Sequence, residues 1–273
     1  MAVRVHSDRT MDQANEDILL REDHGGGIAV LTLNRPQQRN ALSVALMSAL
    51  QDQLDAIKAD KSVRVVILAA NGPAFCAGHD LKEIRSNSGR TYYQHLFDQC
   101  SRLMTSIVRL PQPVIARVHS VATAAGCQLV ASCDLAVASN VAEFATPGVN
   151  IGLFCSTPMV ALSRNVARKH AMEMLLTGDL MLAEDALKYG LINRVVTSET
   201  LDESVMGYAK AIAKKSPLTI AIGKEAFYRQ ADMALEDAYR YASEVMTTNM
   251  LAHDAEEGID AFLERRDPTW TGT

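Results

Sequence analysis

Residues 114–138 read VIARVHSVATAAGCQLVASCDLAVA. Val114 to Val118, apolar except at Arg117, reads as a short buried strand. The small residues Ala124, Ala125 and Gly126 then open a helix, with Thr123 as the expected N-cap and Leu129, Val130 and Cys133 along one face. Leu135 to Ala138 returns to strand. This alternation of strand and helix is the signature of an α/β domain. The free N–H groups at the start of such a helix suit a developing oxyanion, whereas chemistry beyond charge stabilisation needs a further group.

The rhythm extends in both directions. Ile18 to Glu22, the Gly25-Gly26-Gly27 break and the alternating Ile28 to Leu33 predict a hairpin ended by Asn34-Arg35-Pro36. Ser43 caps a helix carrying Leu46, Met47, Leu50, Leu54 and Ile57 at helical spacing, and Val63 to Ala69 is another buried strand. After a loop at Asn71 to Asp80, a long helix runs from about Tyr92 to Leu110 and is closed by Pro111 and Pro113. Pro158 to Ala167, His170 to Leu176 and Ala183 to Lys188 form short helices, with a strand at Leu191 to Val196 after Gly190. Beyond Thr200 everything reads helical, broken at Ser216-Pro217 and ending in an amphipathic piece from Ala255 to Arg265. The organisation is therefore an N-terminal extension (residues 1–17), an α/β core (18–197) and a helical C-terminal region (198–273) suited to packing against a neighbouring subunit.

The 273 residues are 48% hydrophobic, with mean hydropathy near zero, as expected of a globular chain with a full core. Twenty-seven basic residues against 32 acidic ones give a charge of -5, and the cations are scattered, which argues against nucleic acid as a partner. No apolar run approaches the roughly 18 residues of a membrane span. The first 17 residues lack an apolar signal core and mix Arg4 and Arg9 with Asp8, Asp12, Glu16 and Asp17, so the expected location is cytoplasmic. Five cysteines, an odd number with no Cys-x-x-Cys, read as buried thiols. No metal-ligand spacing occurs, and the glycine run lacks the Lys-Ser/Thr of a phosphate loop.

Six segments, in order and at matching spacing, make the chain similar to the enoyl-CoA hydratase/isomerase, or crotonase, family from about residue 18 to 268. They are Asn34 to Pro36 with Arg39 to Leu42, Phe75 to Glu83, Pro113 to Ala116, Ala125 to Leu129 with Cys133 to Leu135, Glu173 to Gly178, and Ala261 to Arg266. Residues 122–134 and 144–157 point to one branch of it. The resemblance implies a spiral of ββα units forming two sheets, with the helical C-terminal region making trimers, often paired into hexamers. It also implies a coenzyme A thioester as ligand, coenzyme A being part of the substrate and no cofactor being permanently bound. The thioester carbonyl is expected between the backbone N–H groups of His79 and Ala125. Coenzyme A contacts are expected at Arg39, Ala41 and Leu42, at Ala77, Gly78, Asp80, Leu81 and Lys82, and from a neighbouring subunit's Phe262 and Arg265.

Hydratases of this family use two glutamates, and the matching positions here are Gln128 and Gly148. Glutamine orients water but carries no proton near neutral pH, and glycine offers only backbone, so both acid–base groups are missing. Ser156, where a related branch places a nucleophilic carboxylate, has no sequence-near base to activate it. The His79 ring is a further candidate proton carrier, and Asp80 more naturally caps the helix after it. Three readings follow: a slow lyase or isomerase of fatty acid metabolism, a non-catalytic CoA-ester binding or regulatory protein, and a thioester hydrolase or decarboxylase.

Overall fold

In the computed structural model, which describes residues 17–273, the hairpin forms where the glycines allow it. The rest of the expected N-terminal extension lies outside the described residues. Strands β1 (Leu19–His24) and β2 (Ile28–Leu33) run antiparallel, with Gly26 and Gly27 at φ of 82° and 78°. A side chain at Gly27 would meet the Arg64 Cγ at 2.5 Å, so that turn also needs glycine for space. Helix α1 (Val44–Ala59) starts where predicted, the Ser43 hydroxyl accepting from the Leu46 amide at 3.1 Å. Strand β3 (Val65–Ala70) is buried at every residue.

Helices α2 (Leu81–Ser86) and α3 (Arg90–Arg109) precede β4 (Val114–Val118), β5 (Ala122–Thr123), α4 (Ala125–Ser132), β6 (Leu135–Ser139) and β7 (Glu143–Ala145). There follow α5 (Pro158–Asn165), α6 (Arg168–Thr177), β8 (Met181–Leu182), α7 (Ala183–Lys188) and β9 (Arg194–Val196). The main sheet has the order β1-β2-β3-β4-β6-β9 and is parallel except at the β1·β2 hairpin. Parallel strands are covered on both faces. Accordingly Val66 and Leu68 of β3 face the main core with α1 and α3, while Val65 and Ile67 pack with Leu201, Val205 and Ala209 of α8 (Leu201–Ala213). A smaller sheet, β5-β7-β8, lies beside the start of α4.

One expectation is corrected here. Thr123 is not the cap of α4 but a strand residue paired with Ala145, and Ala124 takes the N-cap position with φ 50° and ψ −118° and no side-chain cap. The Thr123 amide donates to the Cys76 carbonyl and the Ala124 amide to the Ala145 carbonyl, both at 2.9 Å. These two bonds hold the chain extended through Thr123, so the helix begins one residue late through a left-handed turn that is strained for alanine.

Of the C-terminal helices α9 (Pro217–Gln230), α10 (Leu235–Met250) and α11 (His253–Glu264), α9 and α11 are anchored by buried polar clusters. The Lys224 ammonium donates to the Ile107 and Gln112 carbonyls at 3.0 and 3.1 Å and to Asp134 at 2.7 Å. Asp134 also accepts from Tyr228 and from the Val114 amide. Asp254 accepts from Ser216, Thr271 and Gly272, which fastens the last residues to α11. Large apolar side chains nonetheless remain exposed along α10 and α11, among them Tyr239, Leu251, Phe262 and Leu263.

Candidate active site

Small residues bring two loops unusually close. All of α4 is buried, and its Gly126 lies against the loop before α2, where an added Cβ would sit 2.1 Å from the Cys76 carbonyl oxygen. From the other side Gly78, at φ 96°, faces Ala124: a Cβ there would meet the Ala124 Cβ at 2.9 Å and the Ala125 nitrogen at 3.5 Å. The loop is pinned on its far side as well. The Leu42 amide donates to Gly78 at 2.7 Å and the Asp80 amide to Leu42 at 3.2 Å, while the Ala77 amide donates to Arg39 at 3.0 Å.

This pattern leaves the two expected amides free. Leu42 bridges His79 in parallel fashion and bonds only to the residues on either side of it, so the His79 N–H points away from that bridge. The Ala125 N–H is at the first helical position, where no intrahelical acceptor exists. Among the described residues neither amide donates to any backbone or side-chain acceptor. Two unpaired N–H groups on facing loops are the geometry that binds an oxygen gaining negative charge.

Around them the side chains are neutral. The His79 ring packs edge-on against Phe97 of α3 at 5.7 Å, and burial pushes its pKa below the ordinary histidine value. Gln128 is 4% exposed, and its carboxamide oxygen has only the Cys100 thiol nearby, at 3.9 Å. Gly148 sits in a single-turn helix where an added Cβ would meet the Leu153 carbonyl at 2.7 Å and the Cys155 sulfur at 2.9 Å. The backbone therefore closes over the position a second acid would need. Burial pushes the Cys76, Cys100 and Cys127 thiols up to about 12, and Cys133 and Cys155 upward as well, which disfavours their thiolates.

The other sequence candidates divide. Asp80 is the N-cap of α2, accepting from the Lys82 and Glu83 amides and pairing with Arg35 at 3.1 Å. Burial alone would raise its pKa, but those amides and the guanidinium outweigh it and hold the carboxyl low. Arg35, which the sequence reading did not single out, also donates to the Ala41 carbonyl at 2.6 Å and so ties the Arg39–Leu42 segment to the loop. Arg39, Leu81 and Lys82 are exposed on the rim, whereas Ala41, Leu42 and Gly78 are buried in its wall. Ser156 is exposed and its hydroxyl reaches only the Phe154 carbonyl, at 3.3 Å, with no base beside it. Phe262 is 81% exposed, and Arg265 forms the left-handed C-cap of α11; within one chain neither bonds to the 76–82 loop. Among the described residues no three His, Cys, Asp or Glu side chains come together to hold a metal, and no helix is long and apolar enough to cross a membrane.

Residues 23–273 match the model of the family described as enoyl-CoA hydratase/isomerase. The chain is 49% identical over 253 residues to the Xenopus laevis protein named enoyl-CoA hydratase domain-containing protein 3, mitochondrial, covering 93% of this chain and 85% of that one. The crystal structure of the human protein of that name superposes with a TM-score of 0.90 at 46% identity, over 93% of this chain and all of that one. A crystal structure described as enoyl-CoA hydratase from Mycobacterium smegmatis gives 0.92 at 53% identity, over 93% of this chain and 99% of that one. The branch indicated by residues 122–134 and 144–157 is thus that of enoyl-CoA hydratase domain-containing protein 3. These relatives correct the expected location: those from frog, rat and human are named mitochondrial, which points to mitochondria rather than the cytoplasm. The expectation rested on the acidic residues among the first 17, which did not decide the compartment, and buried thiols suit either one. The α/β fold, the six ordered segments and the match over residues 23–273 lead to one conclusion: the chain belongs to the enoyl-CoA hydratase/isomerase family.

Proposed function

We propose that this protein binds an acyl- or enoyl-CoA thioester, as part of fatty acid metabolism, and polarises its carbonyl between the His79 and Ala125 amides. The observation that carries the reading is that pair of unpaired N–H groups, held on facing loops by Gly78 and Gly126. Coenzyme A enters as part of the substrate, along the wall formed by Ala41, Leu42 and Ala77 to Lys82, with no resident cofactor. The carbonyl oxygen accepts from both amides, which draws electron density from the α and β carbons.

Proton transfer is where the site falls short of an ordinary hydratase. Gln128 can orient a water but cannot take its proton, and Gly148 supplies no side chain. Loss of one general acid–base group typically slows a reaction by about 10² to 10⁴, and two are missing here. The protein accordingly acts as a CoA-thioester binder with little ordinary hydratase activity. The closing of the backbone over Gly148 favours this over hydration by an unaltered mechanism. Exposed apolar side chains on α10 and α11 support assembly into trimers or hexamers, in which a neighbour's Phe262 and Arg265 complete the coenzyme A site.

Calorimetry with crotonyl-CoA, run beside an assay following loss of the enoyl chromophore, tests the reading. Micromolar binding with negligible turnover is the expected pair of results. Absence of binding removes the proposal, and turnover at the level of an ordinary hydratase removes the argument from Gln128 and Gly148. Sedimentation of a stable monomer that binds the thioester fully would remove the shared site.

A further inference from the structure

The two free amides are backed differently. The Ala125 N–H begins α4, so a column of aligned peptide groups stands behind it. The His79 N–H belongs to the loop before Asp80, outside α2, and has no helix behind it. Its support is a chain of hydrogen bonds. In a trans peptide unit the carbonyl and the following N–H point in opposite directions, and the described residues contain no cis bond. The Gly78 carbonyl accepts from the Leu42 amide at 2.7 Å, so the His79 N–H of the same unit is turned the other way, toward the candidate site. The Ala41 carbonyl, in the unit that carries the Leu42 amide, accepts from Nη1 of Arg35 at 2.6 Å. The guanidinium is therefore joined to the His79 amide through two peptide units laid head to tail.

Arg35 is fixed at that end of the chain by further bonds. Its Nη2 donates to Asp80 at 3.1 Å, and its own amide donates to the Asn40 side-chain oxygen at 2.8 Å. Asn40 is fully buried and donates to the Asn71 and Ala74 carbonyls at 2.7 and 2.8 Å. The Arg35 side chain is 17% exposed, so its field is screened less than that of a surface charge. Arg39 and Lys82, the neighbouring cations on these two segments, are exposed. Asp80 offsets part of the charge, but its second oxygen is taken by the Lys82 and Glu83 amides, both at 3.2 Å. The Asp80 contact alone would join the two loops, whereas the shorter bond to Ala41 sets the cation behind the His79 amide.

We propose that Arg35 is a positioning residue for carbonyl polarisation: through the Ala41–Leu42 and Gly78–His79 peptide groups its charge orients the His79 N–H and strengthens it as a donor to the thioester oxygen. A cation at the carbonyl end of such a chain polarises each member in the same sense, and the last N–H becomes the more positive for it. A neutral side chain at position 35 leaves the amide in place as a weaker donor. This inference rests on the CoA-thioester reading above.

The test compares crotonyl-CoA with the S-crotyl thioether of CoA, which keeps the coenzyme and the chain but has no carbonyl. Calorimetry is run on the parent, Arg35→Gln, Arg35→Lys and Asp80→Asn, and infrared difference spectroscopy reads the stretch of the isotopically labelled carbonyl in the bound thioester. The parent should prefer the thioester and lower its carbonyl frequency relative to water. Arg35→Gln keeps an N–H donor without the charge; it should cut the preference for thioester over thioether about three- to tenfold and reverse at least about half of the frequency shift. Thioether affinity should stay within about twofold, which also reports that the variant is folded with its coenzyme A wall intact. Arg35→Lys retains the charge and should keep the preference within about twofold of the parent. Asp80→Asn keeps a capping side chain while removing the charge that offsets Arg35, so it should deepen the shift, and it decides the matter if Arg35→Gln does not fold. Parental preference and frequency in Arg35→Gln overturn the inference. So do equal losses of thioester and thioether binding, a lysine variant as weak as the glutamine one, or a shallower shift in Asp80→Asn. A parent that binds the thioester no tighter than the thioether removes the polarisation reading itself, and this inference with it.

Discussion

Replacing Gly126 by alanine adds one methyl group where the chain has no room for it. The new Cβ would lie 2.1 Å from the Cys76 carbonyl oxygen, 2.8 Å from its carbon and 2.8 Å from the Cys76 Cβ, against a practical limit near 3.0 Å. The oxygen and carbon are backbone atoms, so no rotamer change relieves the contact, and α4 must part from the 76–79 loop by about 1 Å. That movement strains the bond from the Thr123 amide to the Cys76 carbonyl and displaces the His79 amide relative to the Ala125 amide. Overpacking of this kind costs about 2–3 kcal/mol, or about 5–10 °C in melting temperature. An amide pair misplaced by about 1 Å should weaken carbonyl polarisation and lower CoA-thioester affinity at least about tenfold. Gly207→Ala is the control: it lies in α8 with nothing within 4 Å of the added Cβ, so it should stabilise by about 0.5–1 kcal/mol. Urea unfolding and calorimetry on the three proteins check both effects. A Gly126→Ala protein with the midpoint and affinity of the parent would refute the reasoning about close approach.

Ala124→Gly relieves a residue held at φ 50° and ψ −118°; with about 1–3 kcal/mol of strain released against the higher unfolded entropy of glycine, a gain of about 1 kcal/mol should appear as a higher urea midpoint. Gln128→Glu combined with Gly148→Glu should fail to raise crotonyl-CoA hydration and should destabilise by about 1–3 kcal/mol, because the Leu153 carbonyl stands 2.7 Å from the new Cβ; a steady-state assay showing a large gain would contradict the crowding. Asp80 has a folded pKa below the ordinary carboxylate value of about 3.9, so its contribution to stability is full above that value and is lost as pH falls through the lower folded one. Asp80→Asn should therefore narrow the difference in unfolding free energy between neutral and acid pH, as read from urea midpoints across a pH series.

Much of the fold was legible where local chemistry is strong. Ser43 capped its helix as read, and Asp80 capped the helix after it, because each cap needs only a side chain and the next two or three amides. In the main sheet β3 was legible as an apolar run and the β1·β2 pair by its glycine break and alternation. The small sheet was not: β5 and β8 have two residues each and β7 three, too few to show any alternation. Thr123 misled for the same reason, since the ladders to Cys76 and Ala145 that keep it extended come from distant parts of the chain. In the site, the small residues and the uncharged Gln128 and Gly148 were visible in sequence. The unpaired Thr146 hydroxyl was not, because whether a polar atom finds a partner depends on packing. Phe97 and Cys100 gave no signal beyond the apolar stripe of a long helix.

The ion pair of Lys224 with Asp134 bears on how the chain may be cut and how its parts influence one another. Asp134 lies two residues past the end of α4, whose first residue presents the Ala125 amide, so α4 spans from the candidate site to α9. Truncation before α9 would strip the carboxylate of its buried counter-ion and leave the Ile107 and Gln112 carbonyls without their donor; breaking such a pair costs about 3–5 kcal/mol. The three C-terminal helices are therefore not a detachable module. Helix α4 is a strut with the candidate site at one end and, through Lys224, α9 at the other. If subunits assemble through these helices as proposed, and tilting α9 costs different free energy in the filled and empty states, occupancy of the site and association are thermodynamically linked, each changing the other's equilibrium by the same factor.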